Sequence, residues 1–194
     1  MMQLLSNEML IIDWLEKYRV QNYRLKADKE YGFIVNVNGD VDLSNKGLTA
    51  IAVKFGIVDG NFSCNKNNLT SLLGCPNDVR GDFFCCYNNL IDLKYCPENV
   101  ANGFYCYYNK IKTLDNLSTV IKGNLNCAYN DIASLNKNIK VGGTFYIYGN
   151  NLLKKYPKIL SKEKMTIVLE EMLLRETFEQ QTNKQNNNAK FSKI

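Results

Sequence analysis

The sequence contains no histidine, no C-x-x-C pair of cysteines and no long apolar run. Histidines and closely spaced cysteines are the usual zinc ligands in proteins, so we expect no metal site. Without histidine, general acid–base catalysis would depend on carboxylates, lysine or tyrosine. The repeated part of the chain offers no paired carboxylates, no glycine-rich phosphate loop and no serine-centred motif. We therefore predict a protein that is not an enzyme and that carries no cofactor.

The beginning of the chain also lacks the features of an export signal. The opening residues, MMQLLSNEML, have no basic start followed by an apolar run and a small-residue cleavage site. No apolar stretch approaches the ~20 residues that cross a bilayer. We therefore expect a soluble, cytoplasmic protein that does not enter a membrane. In that reducing compartment the seven cysteines would be free thiols that pack as small apolar side chains.

The net charge of +5 is concentrated near the end of the chain. Residues 1–38 hold five basic and five acidic groups, residues 39–153 hold ten and nine, and residues 154–194 hold nine and five. The middle of the chain is therefore nearly neutral and lacks the basic surface that binding to a polyanion requires. Nucleic-acid binding is disfavoured, and that alternative is reduced to a salt-sensitive association through the basic C-terminal segment.

The dominant feature of the chain is a 21-residue pattern that repeats from residue 39, with one step of 20. Its second copy reads GNFSCNKNNLTSLLGCPNDVR (60–80) and its third reads GDFFCCYNNLIDLKYCPENVA (81–101). The unit has the form apolar-x-apolar-x-x-Asn-x-apolar-x-x-apolar, and six units cover residues 39–155. Self-similarity of this kind predicts a solenoid, in which no unit closes a hydrophobic core alone.

Two features of the unit predict its local structure. Phe62 and Cys64 alternate with outward residues, which is the period of a short strand with one face inward. Asn67 follows at the turn, where its amide can bond to backbone groups of the adjoining coils. The predicted asparagine ladder consists of Asn67, Asn88, Asn109, Asn130 and Asn150. The predicted inward cysteines form one column of Cys64, Cys85, Cys106 and Cys127 and another of Cys75 and Cys96.

The unit resembles the leucine-rich repeats of short bacterial and phage-encoded proteins, whose units have the form G-x-F-x-C-x-x-N-x-L-x-x-L-x-x-x-P. The resemblance covers residues 8–155. It implies an α/β repeat solenoid: a leucine-rich-repeat arc with a parallel β-sheet on the concave face, helical caps at both ends and a protein-binding role. This chain departs from the pattern at Lys46, at Asn116–Leu117 and at Lys155.

A helix is predicted at residues 7–19, within an N-terminal leader that covers residues 1–38. Ser6 or Asn7 is a suitable N-cap. The apolar face of this helix consists of Ile11, Trp14, Leu15 and Tyr18, at the spacing of one helical stripe. We expect the helix to cap the first coil.

A second helix is predicted at residues 156–182, after the repeats. The apolar stripe within residues 161–181 would either cap the solenoid or form a homodimer. The last residues, 183–194, are polar and rich in asparagine, and we expect them to be disordered.

The outward positions of the predicted strands carry an aromatic and nearly uncharged surface. Its candidate partner-binding residues are Phe84, Tyr87, Tyr105, Tyr107, Tyr108, Tyr129, Tyr146 and Tyr148. Cys86 lies among them and is predicted to be an exposed thiol. Exposed apolar patches rich in tyrosine mark interaction sites, whereas cross-strand stacking by itself is also typical of a structural scaffold. We predict a protein-binding module, and the phage-like resemblance adds the expectation that it sequesters or inhibits a host protein. A purely structural scaffold or dimer is the alternative.

Overall fold

The computed structural model describes residues 4–117, 120–133, 139 and 141–152. This part of the chain contains helix α1 (Glu8–Lys17) and twelve short strands. The strands are β1 (Tyr23–Asp28), β2 (Gly32–Val37), β3 (Val41–Asp42), β4 (Phe55–Val58), β5 (Phe62–Ser63), β6 (Asp78–Val79), β7 (Phe83–Phe84), β8 (Asn99–Val100), β9 (Phe104–Tyr105), β10 (Val120–Ile121), β11 (Leu125–Asn126) and β12 (Phe145–Tyr146). The predicted helix at 156–182 and the predicted tail at 183–194 lie outside the described residues.

The strands form two six-stranded sheets. Sheet A has the order β1-β2-β4-β6-β8-β10, and sheet B has the order β12-β11-β9-β7-β5-β3. Strands β1 and β2 form an antiparallel hairpin at one edge of sheet A, whereas the other pairings are parallel. Each coil contributes one short strand to each sheet, so the coils stack along the direction of the hydrogen bonds between strands. The chain is a β-solenoid.

The 21-residue period of the sequence sets the pairing register of sheet B. Phe62 pairs with Phe83, and Phe83 pairs with Phe104. Leu125 pairs with Phe104 on one side and with Phe145 on the other, which accommodates the one shorter step. The predicted solenoid and its parallel stacking are therefore confirmed.

The predicted inward columns form the core. The side chains of Phe62, Phe83 and Phe104 are fully buried, and their ring centroids lie 5.8 and 5.0 Å apart along the stack. The four cysteines of the first column are also fully buried, as is Cys75, whereas Cys96 is partly exposed. The six buried cysteines, which include Cys86, are free thiols. The interpretation of the two predicted columns as core packing is confirmed for each of their cysteines except Cys96, which reaches the surface in part.

The asparagine ladder joins successive coils through both ends of each amide. The Nδ2 of Asn88 donates to the carbonyl oxygen of Cys64 in the preceding coil at 3.0 Å and to that of Cys85 in its own coil at 3.2 Å. Its Oδ1 accepts from the backbone N–H of Leu69 at 3.0 Å. Asn109, Asn130 and Asn150 repeat this pattern. The ladder satisfies backbone groups that the turn leaves unpaired inside the solenoid.

Helix α1 begins where the sequence predicts. Asn7 is its N-cap, with a side chain that accepts from the backbone N–H of Leu10 at 3.2 Å. Ile11 and Leu15 are fully buried, and the ring of Trp14 meets that of Phe55 edge-on, with centroids 6.3 Å apart. The apolar stripe of the helix therefore packs against the first coil.

The second half of each described coil differs from the expected α/β architecture. It is extended and ends in a short strand of sheet A, so the coil is closed by two sheets instead of one. Pro76 and Pro97 explain part of this difference, because proline lacks an N–H donor and disfavours the helical conformation of the residue before it. The β-branched residues Val79 and Val100 follow and are buried in sheet A, as suits their strand preference.

Candidate binding face

The eight predicted binding residues lie on the outer side of sheet B or in the turns that follow its strands. Strand pairing aligns Phe84 with Tyr105, Tyr105 with Asn126, and Asn126 with Tyr146. The turns then carry Tyr87, Tyr107, Tyr108, Tyr129 and Tyr148. These eight residues are called the aromatic face below. Each of them is partly or substantially exposed, as the sequence predicts.

The first pair of the aromatic face is a cross-strand stack. The rings of Phe84 and Tyr105 lie 4.8 Å apart between centroids, with an interplanar angle of 13°. Gly103 makes room for this ring, because a Cβ at that position would lie 2.6 Å from the Tyr105 hydroxyl oxygen. Asn126 interrupts the column, so Tyr146 stands one coil further along without an aromatic neighbour in line.

The most regular feature is a tyrosine ladder, formed by Tyr87, Tyr108 and Tyr129. Their ring centroids lie 4.7 and 4.5 Å apart, and each pair is tilted by only 13°. Each side chain is a little over two-fifths exposed. Tyr148 ends the ladder edge-on, 5.2 Å from Tyr129 at an angle of 90°. The stacking covers most of the ring faces and leaves a row of ring edges and hydroxyl groups facing solvent.

The backbone beneath the tyrosine ladder is in the left-handed region. The φ angles of Tyr87, Tyr108 and Tyr129 are +54°, +54° and +51°. Asn45 and Gly149 occupy the equivalent positions in the first and last coils, with φ angles of +56° and +74°. Asparagine and glycine are the residues that adopt this conformation readily, and a bulky side chain is uncommon there. The turn therefore recurs in all six coils, and four of them fill it with a residue that adopts this conformation less readily: Lys66, with a φ of +52°, and the three tyrosines.

Gly149 leaves room for the ring of Tyr129 at the end of the tyrosine ladder. A Cβ at this position would lie 2.5 Å from Cδ1 of Tyr129. The ring of Tyr129 thus occupies the space above the last turn, and Tyr148 meets it from the neighbouring position. Glycine here meets both the backbone requirement and the close approach of the ring.

The prediction for Cys86 was wrong. Its side chain is fully buried, and burial raises the pKa of its thiol to about 12. Burial and the neighbouring Cys86 also raise the pKa of Tyr107 to about 12. Ala128, which occupies the same column two coils on, is buried as well. Large and small residues alternate in this column, so the tyrosines cover the small side chains. A thiol that stays protonated at neutral pH is a poor nucleophile.

A second polar ladder borders the face and was missed from the sequence. Side-chain oxygens at the starts of the coils accept from the backbone N–H of the equivalent residue one coil later. Asp40 bonds to Asn61 at 2.6 Å, Asn61 to Asp82 at 2.8 Å, Asp82 to Gly103 at 2.7 Å and Asn124 to Thr144 at 2.8 Å. The signal was a glycine followed by aspartate or asparagine at the start of most units. A Cβ on Gly81 would lie 2.4 Å from the Asn61 oxygen, so these glycines allow the contact.

Comparisons with known proteins do not assign a function, so the function is inferred from the site itself. No family model, no curated protein and no solved structure matches the chain. Within the described residues, no group of three or more potential ligands is placed to hold a metal ion. In the same part of the chain, no helix is long and apolar enough to cross a membrane.

Proposed function

We propose that this solenoid is a protein-binding module and that the aromatic face is its contact surface. The observation that carries the proposal is the left-handed backbone of three consecutive ladder tyrosines, Tyr87, Tyr108 and Tyr129. A non-glycine residue in this conformation costs roughly 1–2 kcal/mol. Stacked aromatic pairs return roughly 0.5–1.5 kcal/mol each, so the tyrosines bring the fold little net stability. Asn45, Lys66 and Gly149 show that the same turn closes without an aromatic side chain.

The arrangement of the rings favours a polypeptide partner over nucleic acid. Base stacking needs an open ring face, together with lysines or arginines that neutralise phosphates. In the tyrosine ladder successive rings lie face to face at 4.5 to 4.7 Å, which closes both faces of Tyr108, and the eight residues of the aromatic face carry no cation. Ring edges and hydroxyl groups suit apolar side chains and backbone amides, and tyrosine loses little conformational entropy on binding.

We propose further that the partner is a host protein that this chain sequesters or inhibits in the cytoplasm. This part rests on the resemblance of the repeat to phage-encoded leucine-rich repeats. The repeat pattern of residues 39–155 supports that kinship. The second sheet of the coil, which takes the place expected for helix, counts against a close match to the α/β leucine-rich-repeat class.

A capture experiment with matched variants tests the face. The affected variant replaces Tyr87, Tyr108 and Tyr129 together by asparagine, which tolerates the left-handed backbone. The control is Tyr95→Asn, because Tyr95 also has a positive φ of +68° and is 48% exposed, but it lies outside the aromatic face. Each protein is immobilised and exposed to nuclease-treated bacterial lysate, and the captured proteins are quantified by mass spectrometry.

We expect one partner to be captured by wild type and by Tyr95→Asn, with at least a tenfold loss in the triple variant. Circular dichroism and urea unfolding of the three proteins must show that each is folded. Equal capture by all three folded proteins, or the absence of any enriched protein, would refute the proposal and favour a structural role for the tyrosines.

A further inference from the structure

The hairpin edge of sheet A forms a cleft that the repeats do not explain. Its volume is about 290 Å³, near the lower limit of ligand pockets in proteins. The cleft is lined by Asn22, Arg24, Asn36, Val37, Asn38, Ile57, Asp59 and Arg80. It lies on the first two coils, where strand β1 adds a wall that later coils lack. The aromatic face belongs to the other sheet, so this cleft is a separate surface.

The two arginines are the main charged groups of the cleft. Arg80 donates from Nη1 to the Asp59 carboxylate at 2.8 Å, and its side chain remains 60% exposed. This single contact leaves the other guanidinium N–H groups free to bind a ligand. Arg24 has no ion pair within the described part of the chain. The cleft therefore keeps one net positive charge and two guanidinium groups with unused donors.

The asparagines of the cleft are fixed by the backbone. The Oδ1 of Asn36 accepts from the backbone N–H of Ile57 at 2.8 Å, at the point where the register between β2 and β4 shifts. Gly56 permits this contact, because a Cβ there would lie 2.5 Å from the same oxygen. The backbone N–H of Asn38 donates to the carbonyl of Asn22 at 3.0 Å and closes the end of the hairpin. The Asn36 amide is thus oriented with its oxygen engaged and its NH₂ group available.

We propose that this cleft binds a small molecule through an oxyanion head, either a phosphate or a carboxylate. Arginine presents parallel N–H donors that match both groups, and hydrogen bonds to a charged acceptor are stronger than neutral ones. The Asn36 NH₂ group adds a further donor. Ile57, which is 39% exposed, supplies an apolar floor for the body of the ligand. The Asp59 carboxylate pairs with one nitrogen of Arg80, so the anion would use the remaining donors of Arg80 together with those of Arg24.

Titration of the full chain with inorganic phosphate and, separately, with acetate tests the proposal. Binding is followed by ¹H–¹⁵N spectra that include the arginine side chains. The test variants are Arg24→Gln and Arg80→Gln. The control is Lys122→Gln, since Lys122 is an exposed cation at the end of a sheet A strand, at the register position of Arg80 two coils on.

The site would be supported by saturable shifts that are confined to the cleft residues. The affinity should fall about tenfold in each arginine variant and should stay unchanged in Lys122→Gln. Saturation by phosphate alone would indicate a phosphate head, and saturation by acetate alone a carboxylate head. The proposal would be overturned if neither anion saturated at millimolar concentration. It would also be overturned if Lys122→Gln weakened binding as much as the arginine variants did, because the effect would then be general screening.

Discussion

The asparagine ladder and the tyrosine ladder are built from successive residues of the same turns, and they obey different rules. Asn88 is nearly buried and bonds to backbone groups of two coils. Tyr87, one residue earlier, is exposed and touches mainly other tyrosines. The asparagine is required because the turn leaves backbone groups unpaired in a dry interior. The tyrosine meets no such requirement, so the contrast separates residues that the fold needs from residues that it only accommodates.

Alkaline pH should cause the largest loss in the free energy of unfolding, because it acts on the buried thiols of the core. Six buried thiols have a pKa raised above the ordinary 9.0 by burial, although for Cys64 a hydrogen bond with Cys75 acts in the opposite direction. They are Cys64, Cys75, Cys85, Cys86, Cys106 and Cys127. The folded state keeps these protons longer than the unfolded state does, so their contribution is complete below pH 9.0 and is lost as the pH rises towards 12 and above. Each thiol contributes a loss of up to about 1.4 kcal/mol per pH unit.

Urea unfolding across this pH range measures the loss. Lys54 acts in the opposite sense, because burial lowers its pKa from 10.5, but it is one group against six. Cys106→Val removes one of these thiols. It should reduce the slope of the free energy of unfolding against pH by about 1.4 kcal/mol per pH unit, which is the contribution of one proton. A slope that is unaffected by this change would mean that the thiols ionise without unfolding the solenoid.

Replacing one member of the asparagine ladder should be the next largest effect. Asn88→Leu leaves the buried N–H of Leu69 without its partner, and an unpaired buried group costs about 1–3 kcal/mol. It also removes one of the two amide donors to the carbonyl of Cys64, which keeps the amide of Asn67. We expect a loss of roughly 2–4 kcal/mol in the free energy of unfolding, measured in urea. The matched control is Asn68→Leu, at an exposed neighbouring position, which should change stability by less than about 0.5 kcal/mol. Equal losses in the two variants would remove the distinction between ladder and surface asparagines.

A comparison of two glycine-to-alanine substitutions tests how tightly the tyrosine ladder is packed. Gly149→Ala combines a left-handed backbone with a clash against Tyr129, whereas Gly47→Ala has the same backbone problem and open space around its Cβ. We expect losses of roughly 2–3 kcal/mol for Gly149→Ala and roughly 1 kcal/mol for Gly47→Ala. The difference, measured by urea unfolding, reports the contact with the ring. No difference would show that the Tyr129 ring moves aside freely.

The smallest stability effect is expected within the tyrosine ladder itself. Tyr108→Asn loses two stacked contacts, at 4.7 and 4.5 Å, but relieves a strained turn. The two effects nearly cancel, so the free energy of unfolding should change by less than about 1 kcal/mol. A loss of several kcal/mol would show that the tyrosines are structural and would weaken the proposed binding role.

The sequence predicted the repeated contacts of the fold better than its isolated ones. The inward phenylalanines, the cysteine column and the asparagine ladder were each predicted from their recurrence, since every coil presents the same chemical requirement to the next. The second sheet was missed because Val79 and Val100 are short β-branched signals between turns and do not reveal their pairing. Cys86 was misplaced because its burial depends on the position of Tyr107, which strand alternation alone does not determine.

The coil length, the inward columns and the order of the aromatic residues follow from the amino-acid sequence alone, because they depend only on a period and on the alternation of a strand. Three other properties depend on the tertiary structure. It set the left-handed backbone under Tyr87, Tyr108 and Tyr129, it turned their faces against one another, and it placed Arg24 and Arg80 in the lining of one cleft. Each of these depends on how one coil or hairpin lies against another, and residues that are neighbours in space there are separated by a whole turn of the chain or more.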